Sequence, residues 1–191
     1  TTGSDTALLR RLLGMSREIE RKMRVAPGAF NKHEATYSFV GSLTRFLRLR
    51  DTAGMGYFLW SLTVADGEGT VPGEIVVSGA SYTLSDAIRG IPENAALQGI
   101  PYRSLEILDS SVIAKWGTAP VGITGTWGWG TVPSEVTDLV CHRVHELVTV
   151  LKEGGVGGIP ASPDEVPMRP QTAWLWREVE RLCGRGTLVV A

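Results

Sequence analysis

Residues 5–24, DTALLRRLLGMSREIERKMR, set Leu8, Leu12, Met15, Ile19 and Met23 four, three, four and four apart, the stripe of an amphipathic α-helix. Ser4 or Asp5 stands where an N-cap belongs, and Val25-Ala26-Pro27-Gly28 ends the pattern. At about 100° per residue, Arg10, Arg17, Arg21 and Arg24 gather opposite that stripe and make a basic ridge. From about residue 35 to 130 the period falls to two. Ala35–Val40, Arg45–Leu49, Tyr57–Val64, Gly73–Ser78, Tyr82–Leu84, Tyr102–Leu108 and Val121–Trp127 are short β-branched and aromatic runs between turn signals such as Asp66-Gly67-Glu68-Gly69 and Val71-Pro72-Gly73. They predict an antiparallel, mostly hairpin-connected β region, in which Leu47 and Leu49 point one way and Phe46, Arg48 and Arg50 the other. Helical spacing returns with Val136, Val140, Val144, Leu147 and Leu151, preceded by Pro133 and by Ser134 or Thr131 as cap. It returns again with Trp176, Val179 and Cys183, closed by Gly184.

The pattern therefore predicts an α+β fold: a small helical bundle with an antiparallel β-rich insertion between the first and second core helices. The helical core is expected over about 4–25, 134–153 and 171–184, the insertion over about 35–130, all within one domain, 1–191. Residues 154–170, GGVGGIPASPDEVPMRP, read as a flexible Gly/Pro loop, and 185–191 as an apolar tail.

Composition narrows the class. Of 191 residues 43% are apolar and 20% charged, which excludes global disorder, and 23 Gly with 10 Pro imply more turns than a pure helical bundle uses. No stretch approaches the roughly 18 apolar residues of a membrane span, and the N-terminal segment lacks the features of an export signal. Two cysteines, Cys141 and Cys183, are too few for a disulfide framework and suit a reduced, intracellular chain. The net charge of −1 conceals a division: residues 1–50 carry a surplus of six positive charges and 51–191 a surplus of seven negative ones.

The chain offers little catalytic chemistry. Gly128-Trp129-Gly130 and Gly154–Gly158 lack the Lys-Ser/Thr ending of a phosphate loop, and Gly79-Ala80-Ser81-Tyr82-Thr83 lacks the second glycine of a hydrolase elbow. Cys141, His142 and His145 are the best metal candidates, yet Cys141 and His142 lie about 100° apart on a helix and the spacing is not that of a zincin. The residues therefore show no visible catalytic apparatus, and neither a cofactor nor a metal is expected. Trp127 and Trp129, two apart on one strand, suggest either packing or a platform for stacking on sugars or other ligands. Trp174 and Trp176 lie about 200° apart on the last helix, so both cannot face one core.

The order of segments carries a resemblance. A first helix ending Ser16-Arg17-Glu18-Ile19-Glu20-Arg21, then Glu34-Ala35-Thr36-Tyr37-Ser38-Phe39, Leu47-Arg48-Leu49 and Gly99-Ile100-Pro101-Tyr102-Arg103-Ser104-Leu105 precede Val121-Gly122-Ile123-Thr124-Gly125-Thr126-Trp127-Gly128-Trp129-Gly130-Thr131-Val132-Pro133 and an amphipathic helix. Over residues 8–152 this resembles the head–tail connector (adaptor, or head-completion) proteins of tailed bacteriophages, with Gly125, Trp127, Gly128, Trp129 and Pro133 as the motif residues. The resemblance implies a non-enzymatic virion protein at the head–tail junction, present in host cytoplasm during assembly. It also implies a homo-oligomeric ring, usually dodecameric, docked beneath the portal protein around the DNA exit channel, with tail or stopper proteins below. On that reading Arg10, Arg17, Arg21 and Arg24 are expected to contact a neighbouring subunit or, without sequence preference, double-stranded DNA, and Trp174, Trp176, Leu188, Val189 and Val190 to contact portal or another partner. The rival expectation from another class is a carbohydrate- or ligand-binding β module built on Trp127 and Trp129.

Overall fold

The computed structural model describes residues 3–41, 44–65, 70–77, 80–82, 88–108, 120–153 and 168–183. In chain order its elements are α1 (Gly3–Met23), β1 (His33–Val40), β2 (Phe46–Arg48), β3 (Leu59–Ser61), β4 (Thr63–Ala65), β5 (Thr70–Pro72), β6 (Ile75–Val77), β7 (Ala80–Tyr82) and β8 (Ile88–Ile91). There follow α2 (Ala95–Gln98), β9 (Ser104–Ile107), β10 (Pro120–Trp127), α3 (Ser134–Glu153) and α4 (Pro170–Leu182). Helices and antiparallel sheets together make this a mixed α+β protein. Two compact units divide the chain: Thr1–Met23 with Val132–Ala191, and Arg24–Thr131.

In the helical unit α1 packs on α3 and α3 on α4. Met15, Ile19 and Met23 are buried as their spacing requires, but Leu8 is exposed and Leu12 half-buried, so only the C-terminal half of the first stripe is core. On α3 the buried apolar side chains are Val136, Leu139, Val140 and Val144, while Leu147, expected in the middle of the stripe, is half-buried. Two cap expectations change. α1 begins at Gly3, placing Ser4 and Asp5 inside its first turn, and the Ser134 hydroxyl turns to the Glu135 carboxylate (3.3 Å) while the Pro133 carbonyl receives the first α3 amides. No helix among the described residues is long and apolar enough to cross a membrane.

The β unit is organised by β10. It pairs with β1 along its whole length, from His33 opposite Trp127 to Val40 opposite Pro120. On its other edge it holds β6 at one end and β3 at the other, and β7 follows β6. The central ladder therefore joins the first and last strands of the unit, from residues 33–40 to residues 120–127, and is no hairpin. A second sheet runs β2-β9-β8, and among the described residues β4 pairs with β5 alone. Phe39, Leu47, Leu59, Ile75, Leu105, Ile107, Ile123 and Trp127 belong to one core that draws on both larger sheets. The alternation expected in β2 is present: Leu47 and Leu49 are buried, and Phe46, Arg48 and Arg50 are exposed.

Other expectations require correction. The single run Tyr57–Val64 is two strands, because at Leu62 the carbonyl leaves the ladder to accept the Gly73 amide. The turn expected at Val71-Pro72 is strand β5, and β8 and α2 are elements the pattern did not announce. The Asp66–Gly69 turn, Thr83 and Leu84 of the fifth expected run, most of the Gly/Pro loop (154–167), the Gly184 cap and the tail with Leu188, Val189 and Val190 lie outside the described residues.

Candidate functional site

The motif residues are assembled by β10 and the turn after it. A side chain at Gly125 would press on the Ser61 carbonyl, so the glycine lets β3 approach β10. Trp127 is buried among Tyr37, Phe39 and Tyr57, with ring centroids 4.9, 5.7 and 6.2 Å away, and its Nε1–H donates to the Ala35 carbonyl at 2.9 Å. Gly128 adopts φ +92, a backbone conformation that side chains resist, and a Cβ there would run into the Asn31 carbonyl. Strand alternation stops at that residue, and Trp129 is buried edge-on to Phe58 at 6.0 Å. Pro133 then starts α3 through its carbonyl. Trp127 and Trp129 thus share neither a strand nor an exposed face. Neither indole offers a platform to a sugar, and the stacking-module expectation is corrected on that ground.

The basic ridge is shorter than its helical phase implied. Arg10, Arg17 and Arg21 are exposed on α1 and form no ion pair with described residues. Arg24 leaves the ridge. It ends the helix in the left-handed conformation (φ 51), so the 3.6-residue phase no longer applies to it, and its carbonyl accepts the Gly56 amide at 2.7 Å. Beside the ridge residues Leu9 and Leu13 are exposed, as Leu8 is.

On α4 the two tryptophans separate as their phase requires. Trp176 is half-buried, donates to Glu180 at 3.1 Å and lies beneath the Lys22 ammonium, 5.7 Å from the ring centroid. Trp174 is 52% exposed, on the face that carries Gln171, Arg177 and Arg181.

The pattern gave no notice of what fixes α4 to α3. Glu146, buried, accepts the Thr172 hydroxyl (2.6 Å) and the Arg169 amide (3.0 Å) on Oε1, and Arg143 donates to its Oε2 at 2.6 Å. Burial is the strongest influence on this carboxyl and acts to raise its pKa. The hydrogen bonds from Thr172, Arg169 and Arg143, with the Arg143 charge, outweigh it and hold the pKa below the ordinary value. The available signal was Arg143 itself, which lies two turns after Val136 and in phase with the apolar stripe. The β unit has a more exposed counterpart, in which Glu106 bridges Arg45 (3.1 Å) and Arg89 (2.6 Å) and Arg89 also meets Glu93 (2.6 Å). Cys141 and His145 are exposed and His142 half-buried, and among the described residues no group of three His, Cys, Asp or Glu side chains is placed to hold a metal.

Comparison of the chain with protein-family models, with curated proteins and with solved structures returns no match.

Proposed function

We propose that the chain is a structural virion protein, a head–tail connector subunit that forms a ring beneath the portal, around the DNA exit channel, and offers the attachment surface for tail or stopper proteins. The observation that carries the reading is the run Val121–Pro133: a strand closed by Trp127, a left-handed glycine, a second tryptophan and a proline that starts an amphipathic helix. Two surfaces add support. Arg10, Arg17 and Arg21 stand exposed on a helix whose other face is buried in its C-terminal half, which suits phosphate or an acidic neighbouring subunit. Trp174, a large exposed aromatic on α4, suits a protein partner such as portal. No bond-making or bond-breaking step is assigned to the protein.

Co-sedimentation with a purified portal ring, followed by native mass spectrometry of the complex, tests the reading. A stoichiometric ring, of about twelve copies on the resemblance, is expected. Charge reversal at Arg17 and Arg21 should weaken assembly or DNA retention in a salt-dependent way. A chain that neither binds portal nor forms a ring on it would refute the proposal.

A further inference from the structure

An open concavity of about 480 Å³ lies on the β unit, lined by Val40, Thr44, Phe46, Leu47, Arg48 and Arg50. It combines two kinds of surface that folding normally satisfies. Val40 and Phe46, 62% and 48% exposed, supply an apolar floor, and Arg48 and Arg50 are exposed and pair with no acid among the described residues. The same unit presents the converse shape. Leu97 projects from the short helix α2 with 90% of its surface in water, and Glu93, four residues earlier, keeps a largely exposed carboxylate beside its own Arg89. A leucine so exposed is not seated in the concavity of its own chain. One surface is therefore an apolar hollow with two cations, and the other an apolar knob with an anion.

We propose that Leu97 of one copy of the chain seats in the Val40–Arg50 concavity of a neighbouring copy, with Glu93 facing Arg48 and Arg50. The apolar insertion supplies the affinity and the rim charges select the orientation. A knob on one copy entering a hollow on the next is a heterologous contact, so it propagates head to tail and closes into a ring when the rotation between neighbours allows. The closure rests on the connector reading given above; the pairwise contact rests on these two surfaces alone.

Complementation between two full-length variants tests the contact. Leu97→Asp removes the knob, and Val40→Asp with Arg48→Glu spoils the hollow. All three side chains are exposed, so circular dichroism should show both proteins folded. In sedimentation velocity over a concentration series, each variant alone should self-associate roughly tenfold or more weakly than the parent chain. Mixed in equal amounts they should form a dimer and nothing larger, because only one knob and one hollow remain intact. Disulfide trapping covers weak association: with Cys141→Ser in both proteins, Val40→Cys and Leu97→Cys should yield the mixed dimer in preference to either homodimer. Variants that assemble like the parent would overturn the contact and leave the connector reading standing, as would a mixture that stays monomeric and untrapped. Specific loss of portal binding with self-association unchanged would assign the concavity to portal and overturn it too. A parent chain that remains monomeric and untrapped, even on portal, removes both readings.

Discussion

Replacing Glu146 by Ala should loosen α4 from α3 and cost the protein about 3 to 5 kcal/mol, the usual result of removing one member of a buried ion pair. The structure supports that range because the two side chains left behind, Arg143 and Thr172, are themselves buried. Arg143 is 3% exposed, and with the carboxylate gone its guanidinium loses the acceptor at 2.6 Å; Thr172, fully buried, loses its hydroxyl's acceptor, and the Arg169 amide at the start of α4 loses its cap. Thr172→Val alone keeps the charges paired and should cost about 1 to 3 kcal/mol. Arg143→Met, Glu146→Met and Thr172→Val combined should recover much of the Glu146→Ala loss, since the buried guanidinium is then removed together with its carboxylate. Urea denaturation followed by circular dichroism measures each value from the shift in midpoint. The same carboxyl predicts a pH dependence. Its native pKa lies below the unfolded value of about 4.5, so the stability it contributes is complete above that value and is lost as pH falls through the native pKa. The stability gap between the parent protein and Glu146→Gln should therefore narrow in acid. A Glu146→Ala loss below about 1 kcal/mol, or a triple variant no more stable than Glu146→Ala, would refute the reasoning.

Leu139→Ala, at a fully buried position, should cost about 2 to 5 kcal/mol, and Leu147→Ala, half-buried, distinctly less; equal midpoint shifts would contradict the burial of α3. Gly128→Ala should destabilise the β unit by about 1 to 3 kcal/mol, because its positive φ and the Asn31 carbonyl both oppose a side chain, and a calorimetric midpoint that does not move would show the turn to be pliant. Trp127→Phe keeps most of the aromatic packing but leaves the Ala35 carbonyl without the indole donor, a loss of about 0.5 to 1.5 kcal/mol for the bond plus the missing ring volume. A variant as stable as the parent would place that bond outside the energetics of the core.

Local periodicity carried the three long helices and most of the strands, because each needs only that neighbouring residues bury one face. It failed where one stretch of chain serves two partners or where the partner is distant. Tyr57–Val64 alternates like a single strand, yet its first half joins β10 and its second half joins β5, a division made by tertiary pairing. β8 escaped notice because Arg89 and Gly90 dilute it, and Gly90 is there to admit the Tyr102 ring. Nothing local reveals that β1 and β10 are partners. The platform expectation for Trp127 and Trp129 carried strand alternation through Gly128, the residue whose conformation ends it.

The motif residues and the exposed apolar residues belong to different energetic classes, and this decides how mutations at each should be read. Gly125, Trp127, Gly128 and Trp129 are committed to folding: they sit in the core or hold backbone that favours glycine, so changing them acts first on the β unit itself. Leu97, Val40 and Phe46, with Trp174 and the leucines of the first half of α1, keep apolar surface that folding has left in water. That surface is where unspent hydrophobic free energy, on the order of 25 cal/mol per Å², remains for a partner. A substitution that leaves the denaturation midpoint in place and still abolishes assembly is therefore expected at exposed positions, the second set or the exposed arginines, and not in the motif. Substitutions in the motif therefore report on the β unit, whereas a binding surface is to be sought among the exposed side chains outside it.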